Sequence, residues 1–125
     1  MLDDELATLM ATLTYGSPAV SVTTYYGVGP EEPLRTAYPF LVVSRVSAPS
    51  DQSCDGDIVF TAARYSFDVG ATARRTARII ADALIALLQG HQGTLIKGIE
   101  HETDYDMYDV DTRTHHIVSD FMVEF

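Results

Sequence analysis

The chain has one cysteine, no tryptophan and few cations, and each scarcity narrows what it can do. With Cys54 alone, neither an internal disulfide nor a cysteine metal cluster can form, which fits a reducing compartment. Eight Lys and Arg stand against 18 Asp and Glu, a formal charge of −10. Affinity for a phosphate backbone comes from clustered positive charge, so a protein that grips nucleic acid is disfavoured. The same charge suits a surface past which nucleic acid slides without sticking, although plain solubility explains it as well. The longest apolar run, residues 83–88, falls far short of the roughly 20 residues a bilayer span needs. The opening Met1-Leu2-Asp3-Asp4-Glu5 lacks the basic start of a signal peptide, so neither membrane insertion nor export by such a signal is expected.

What is present is an ordinary globular composition, 46% hydrophobic and 21% charged over 125 residues, enough for one core and a single domain over 1–125. Leu2, Leu6, Leu9, Met10 and Leu13 recur at helical spacing, with Asp3, Asp4 and Glu5 where a helix N-terminus favours negative charge, and predict a helix over 3–13. Residues 20–28, rich in Val, Thr and Tyr, predict a strand, and 29–33 an exposed turn. A proline-led strand follows over 38–46, with Phe40, Val42 and Val46 on one face, then a long polar loop over 47–57. Between 58 and 69, Val59, Ala63, Tyr65, Phe67 and Val69 alternate with Phe60, Arg64, Ser66 and Asp68, the signature of a half-buried strand.

A second helix is predicted from Thr72 as N-cap to just before Gly90, with Ala73, Ala77, Ile80, Leu84 and Leu87 as its inner stripe. Its first half shows Arg74, Arg75 and Arg78 to solvent, while its second half is apolar almost all round and calls for cover from the first helix or a neighbouring subunit. Two strands close the chain, 94–107 and 113–125, joined by an acidic bend at 108–111. The order helix, strands, helix, strands points to an α+β fold, an antiparallel or mixed sheet with two helices packed on one face.

Chemistry-bearing constellations are weak. His115 and His116 are strand neighbours and point to opposite faces, so they cannot chelate one ion. Carboxylates around Cys54 raise a thiol pKa and disfavour a nucleophile. The glycines of 27–30 lack the third glycine or lysine of a phosphate loop, and the aspartates of 104–111 lack the central glycine and closing Glu of a calcium loop. No catalytic residue, cofactor or metal ligand is assigned. The one candidate site is the row Glu100, Glu102, Asp104 and Asp106, four carboxylates at alternate positions of a predicted strand with no Lys or Arg between 98 and 112. Like charges so placed must be solvated, ion-bound or set against a basic partner, and the sharper possibility is the acidic wall of a channel.

The order of elements, together with Tyr38-Pro39-Phe40-Leu41-Val42-Val43-Ser44-Arg45-Val46, Arg64-Tyr65-Ser66-Phe67-Asp68-Val69, the helix over 72–88 and the closing Ile117-Val118-Ser119-Asp120-Phe121-Met122-Val123-Glu124-Phe125, resembles the tail terminator family of long-tailed bacteriophages, also called tail completion proteins. The likeness spans most of the chain and rests on strand and helix patterns, so no functional side chain is carried over with it. It implies a virion protein assembled in the bacterial cytoplasm: a homo-oligomeric ring, expected to be a hexamer, that ends tail-tube polymerisation. It also implies contacts with the major tube protein and the head–tail connector or stopper, and DNA transit through the lumen without specific binding. Competing expectations are another neck or tail ring protein, such as a stopper or minor tube subunit, and a small partner- or ligand-binding α+β domain. The last is favoured by a pocket of convergent polar groups near Arg64, Tyr65 or His116.

Overall fold

A computed structural model describes residues 2–15, 20–26, 39–47, 50–52, 58–60, 62–110 and 113–125. The predicted turn at 29–33 and Cys54 lie outside them. The first helix, α1 (Leu2–Met10), buries Leu6 and Met10 and ends three residues before the expected boundary. From there the backbone tightens: Thr12 N–H donates to Leu9 O and Leu13 N–H to Met10 O, both at 3.0 Å, in the i→i+3 pattern common at helix ends. That tightening turns Leu13 into the core although it is no longer helical.

Two short strands, β1 (Thr14–Tyr15) and β2 (Val20–Ser21), pair antiparallel. The main sheet has five strands in the order β3 (Thr23–Tyr26), β4 (Phe40–Ser47), β7 (Ala62–Ala71), β9 (Thr114–Glu124) and β8 (Gly98–Asp109). β3 and β4 run parallel and every other neighbouring pair antiparallel, so the sheet is mixed. The polar stretch after β4 is not all loop: β5 (Ser50–Gln52) pairs antiparallel with β6 (Ile58–Phe60), and the expected single strand over 58–69 is assigned as β6 and β7.

Alternation in β7 holds as predicted: Ala63, Tyr65, Phe67, Val69 and Ala71 are buried while Arg64, Ser66 and Asp68 are half-exposed. In β4 the core face belongs to Leu41 and Val43; Phe40 is buried on the opposite face against Tyr25 and His116, and Val46 is exposed. Gly70 makes that packing fit, since a Cβ there would come within 3.1 Å of the Phe40 ring and 3.2 Å of His116.

The second helix, α2 (Arg74–Leu88), starts with Ala73, not Thr72, as N-cap and has no side-chain cap bond. Its buried stripe is Ala77, Ile80, Ala81, Leu84 and Leu88. Ala73 precedes the helix and is exposed, and Leu87 is only partly covered, so the stripe is rotated slightly from the expected one. Gly90 takes a left-handed φ of 76° and its N–H bonds Ile99 O at 2.9 Å, tying the helix end to β8. Both helices share one core with the sheet: Leu6 and Met10 from α1 and Ile80, Leu84 and Leu88 from α2 join Phe67 and Phe121, whose rings meet edge to face at 5.3 Å. Glu5 of α1 also accepts the Leu95 N–H at 2.7 Å, fixing the turn that leads into β8. That turn occupies 94–97, which had been expected to be strand.

Candidate functional site

The four carboxylates sit on β8, an edge strand whose only neighbour among the described residues is β9. They do not form one row. A β-bulge interrupts the pairing between His101 and Thr103 and shifts the alternation by one residue. Before the bulge, Glu100 lies opposite Met122, which in turn pairs with Arg64, so Glu100 belongs to the sheet face away from the helices. After it, Asp104 lies opposite Ser119 and Asp106 opposite Ile117, in the rows of Phe67 and Val69, and these two point to the helix side. A one-residue shift exchanges the faces of everything beyond it, which is why strict alternation in the sequence misled.

Nor are the acids without cations. Arg64 Nη2 meets Glu102 Oε2 at 2.9 Å, Arg74 Nη2 meets Asp106 Oδ2 at 2.6 Å, and Arg78 Nη2 meets Asp104 Oδ2 at 3.1 Å. Arg78 also holds Asp82 one helical turn on, at 2.9 Å. Burial pulls the Arg78 guanidinium down, but its bonds to Asp104 and Asp82 outweigh this and hold it above its ordinary value. The partners come from β7 and α2, far away in sequence, so a window confined to 98–112 could not find them. Glu100 is exposed and has no ion-pair partner among the described residues. The end of α2 also secures this strand: His101 N–H donates to Gln89 Oε1 at 2.7 Å.

Histidines 115 and 116 do lie on opposite faces. His115 packs on Tyr108 with ring centroids 4.8 Å apart and the ring planes tilted by 52°. His116 bonds Asp68 Oδ1 through Nδ1 at 2.9 Å and Thr114 Oγ1 through Nε2 at 3.0 Å. Sequence reasoning missed this hydroxyl–imidazole–carboxylate chain, since 48 residues separate Asp68 from His116 and only the β7–β9 register brings them together. The Asp68 bond raises the His116 pKa above its ordinary value, burial opposes it, and the charges of Asp68 and Asp109 add to the rise. Thr114 is 1% exposed, so its hydroxyl cannot meet a substrate, and the chain acts as a clamp between strands. Among the described residues no group of three or more His, Cys, Asp or Glu could hold a metal ion, and no helix is long and apolar enough to cross a membrane.

A cleft of about 340 Å³ opens at the other end of the sheet, lined by Asp4, Leu6, Ala7, Tyr26, Val43, Arg45 and Tyr65. It contains Tyr65 but neither Arg64 nor His116, and most of its wall is aliphatic or aromatic. Burial raises the Tyr26 phenol above its ordinary pKa.

No curated protein matches the sequence. Among solved structures, a chain described as "Virion of native gene transfer agent (GTA) particle" superposes with a TM-score of 0.62 at 16% identity, covering 95% of this chain and 82% of that one. At that identity the likeness establishes the fold. The family described as Tail completion protein gp17 matches residues 10–124, nearly the whole chain. This protein therefore belongs to the tail completion protein gp17 family and is a structural protein of a phage-type tail.

Proposed function

We propose that the protein is the subunit of a ring, six copies in number, at the head-proximal end of a long phage tail. The ring ends growth of the tail tube, docks on the head connector or stopper, and lets DNA pass through its centre; it assembles in the cytoplasm of the bacterial host. The observation that carries this reading is the tail-completion family match over 10–124. The fold supports it physically. Both described helices lie on one side of the sheet, the other side would line a lumen, and that side carries Glu100, Asp68 and Asp120, with Glu102 reaching Arg64 in the Glu100 row. Negative charge there keeps a phosphate backbone from sticking. Asp104 and Asp106, turned to the helix side and held by arginines, contribute to such a wall only at its margin.

A ring that stops a tube must present one face that matches the tube end and another that does not, because a contact repeated on both faces makes a filament. The β5–β6 pair and the β8–β9 tip are the candidates for those unlike faces. Deleting the gene from the phage should give tails of uncontrolled length that fail to join filled heads, and adding the purified protein should restore joining. Tails of normal length on filled heads in its absence would sink the proposal, whereas normal-length tails that leak DNA would point to a stopper.

A further inference from the structure

The function proposed above makes no use of the cleft between α1 and the β3–β4 edge, yet that cleft has the make-up of a binding site. Its floor is Leu6, Val43 and Tyr65, each at most 5% exposed, and its rim carries Tyr26 at 52% and the exposed Arg45. Register explains the grouping: Tyr26 lies beside Val43 and Arg45 opposite Tyr65, so these side chains belong to the helix side of the sheet, where α1 forms the other wall. At about 340 Å³ the cleft falls within the range of ligand pockets, roughly 300–1,000 Å³, and shares their pattern of apolar walls with a few polar groups.

Arg45 is unused by the described fold. It has no ion-pair partner among the described residues, whereas Arg64, Arg74 and Arg78 each hold a carboxylate. Next to it the β4–β7 ladder shifts register between Arg45 and Ser47, and Val46, left out of the pairing, stands 58% exposed. β3 stops at Tyr26, so on that side residues 45–47 of β4 have no neighbouring strand among the described residues. A bulge of this kind re-aims side chains and ends regular pairing. An apolar cleft with a guanidinium at its lip and a strand edge beside it suits an extended segment that carries both an apolar side chain and a carboxylate.

We propose that the cleft receives such a segment from a protein other than this chain. An aromatic or branched apolar residue enters over Leu6 and Val43, and a carboxylate one or two residues away meets Arg45. Charge decides against a second copy. On the helix side Asp82, Asp104 and Asp106 hold Arg78 and Arg74, Glu5 accepts the Leu95 N–H, and Asp4, the acid on the cleft wall, already has a partner. Glu100, Asp120 and Glu124, which have no ion pair among the described residues, lie on the helix-free face, turned away from this cleft in any wall of like-oriented copies. The site rests on the geometry of the cleft and stands whether or not the copies form a ring.

Titration calorimetry on the purified full chain tests it, with the peptide acetyl-Gly-Phe-Gly-Asp amide as probe and companions in which Asn replaces its Asp or Gly its Phe. The probe should bind saturably, and loss of either group from the peptide, or Arg45→Gln in the protein, should weaken binding roughly tenfold or more. Arg45→Lys should recover part of the loss, because it restores the charge without the fork. Ala7→Phe, which fills the cleft from α1, should abolish binding. Equal binding of the Asp and Asn peptides, wild-type binding by Arg45→Gln, or no saturation at millimolar peptide would overturn the site. Light scattering distinguishes the occupant: an unchanged oligomer mass in Arg45→Gln supports a foreign segment, and a fall in mass would give the cleft to a neighbouring copy and overturn the proposal. A monomeric wild type that still binds the probe would sink the ring and support the site.

Discussion

β8 and β9 are antiparallel neighbours of nearly equal length, and both alternate apolar with polar residues, yet their fates differ. β9 lies between β7 and β8, beneath α2, and buries Thr114, Ile117, Val118, Ser119, Phe121 and Val123. Among the described residues β8 has a neighbouring strand on one side only and buries Ile99 alone. Alternation sets which face a side chain takes; position in the sheet sets whether anything covers that face. β9 therefore holds the subunit together, and β8, supported by β9 and by arginines from β7 and α2, adds little to that core.

Truncation should expose this contrast most strongly. Phe121→Ala removes a ring packed against Phe67 and His101 in the core and should cost about 3–5 kcal/mol in chemical denaturation, whereas Tyr105→Ala on β8 should change the monomer by less than about 0.5 kcal/mol. Comparable losses at the two positions would erase the distinction. Leu84→Ala, in the helix stripe over the same core, should cost about 2–5 kcal/mol.

A smaller effect is expected on the helix-free face, where Gly70 lets Phe40 and His116 meet. In a strand, Gly→Ala ordinarily stabilises by reducing the freedom of the unfolded chain. Here the added methyl lands within 3.1–3.2 Å of two rings, so Gly70→Ala should destabilise by about 1–3 kcal/mol, read as a lower denaturation midpoint. A gain would show that Phe40 and His116 give way freely.

The His116 clamp sharpens the contrast through pH. Its folded pKa is raised, so protonated His116 favours the folded state; that contribution is complete below the unfolded value near 6.5 and is lost as pH rises through the folded one. Thermal melts should therefore show wild-type stability falling above about pH 6.5, and Asp68→Asn should flatten that slope. An unchanged slope in the variant would remove Asp68 as its cause. Smallest of all should be the exposed Arg74–Asp106 pair on β8, about 0–1 kcal/mol in a double-mutant cycle and less in high salt.

Much of the fold was legible because its elements obey local rules. β7, and β9 from Ser119 onward, showed their period-two burial in the sequence, and α2 most of its helical stripe, with Thr72, Ala73 and Leu87 misplaced and Ala81 and Leu88 missed. What remained hidden is non-local. The bulge at 101–103 leaves no mark in composition, yet it alone separates Glu100 from Asp104 and Asp106. The arginines that neutralise β8, and the Asp68–His116 bond, exist only through strand register and helix packing. The cleft under Arg45 depends on α1 crossing the β3–β4 end, a tertiary contact that no sequence window contains.

The central claim, that this chain builds a tail-completing ring, is tested most directly by negative-stain electron microscopy of the purified protein. Class averages should show closed rings of six-fold symmetry with an open centre wide enough for duplex DNA. Two-fold dimers, open filaments or isolated monomers at every concentration would contradict it.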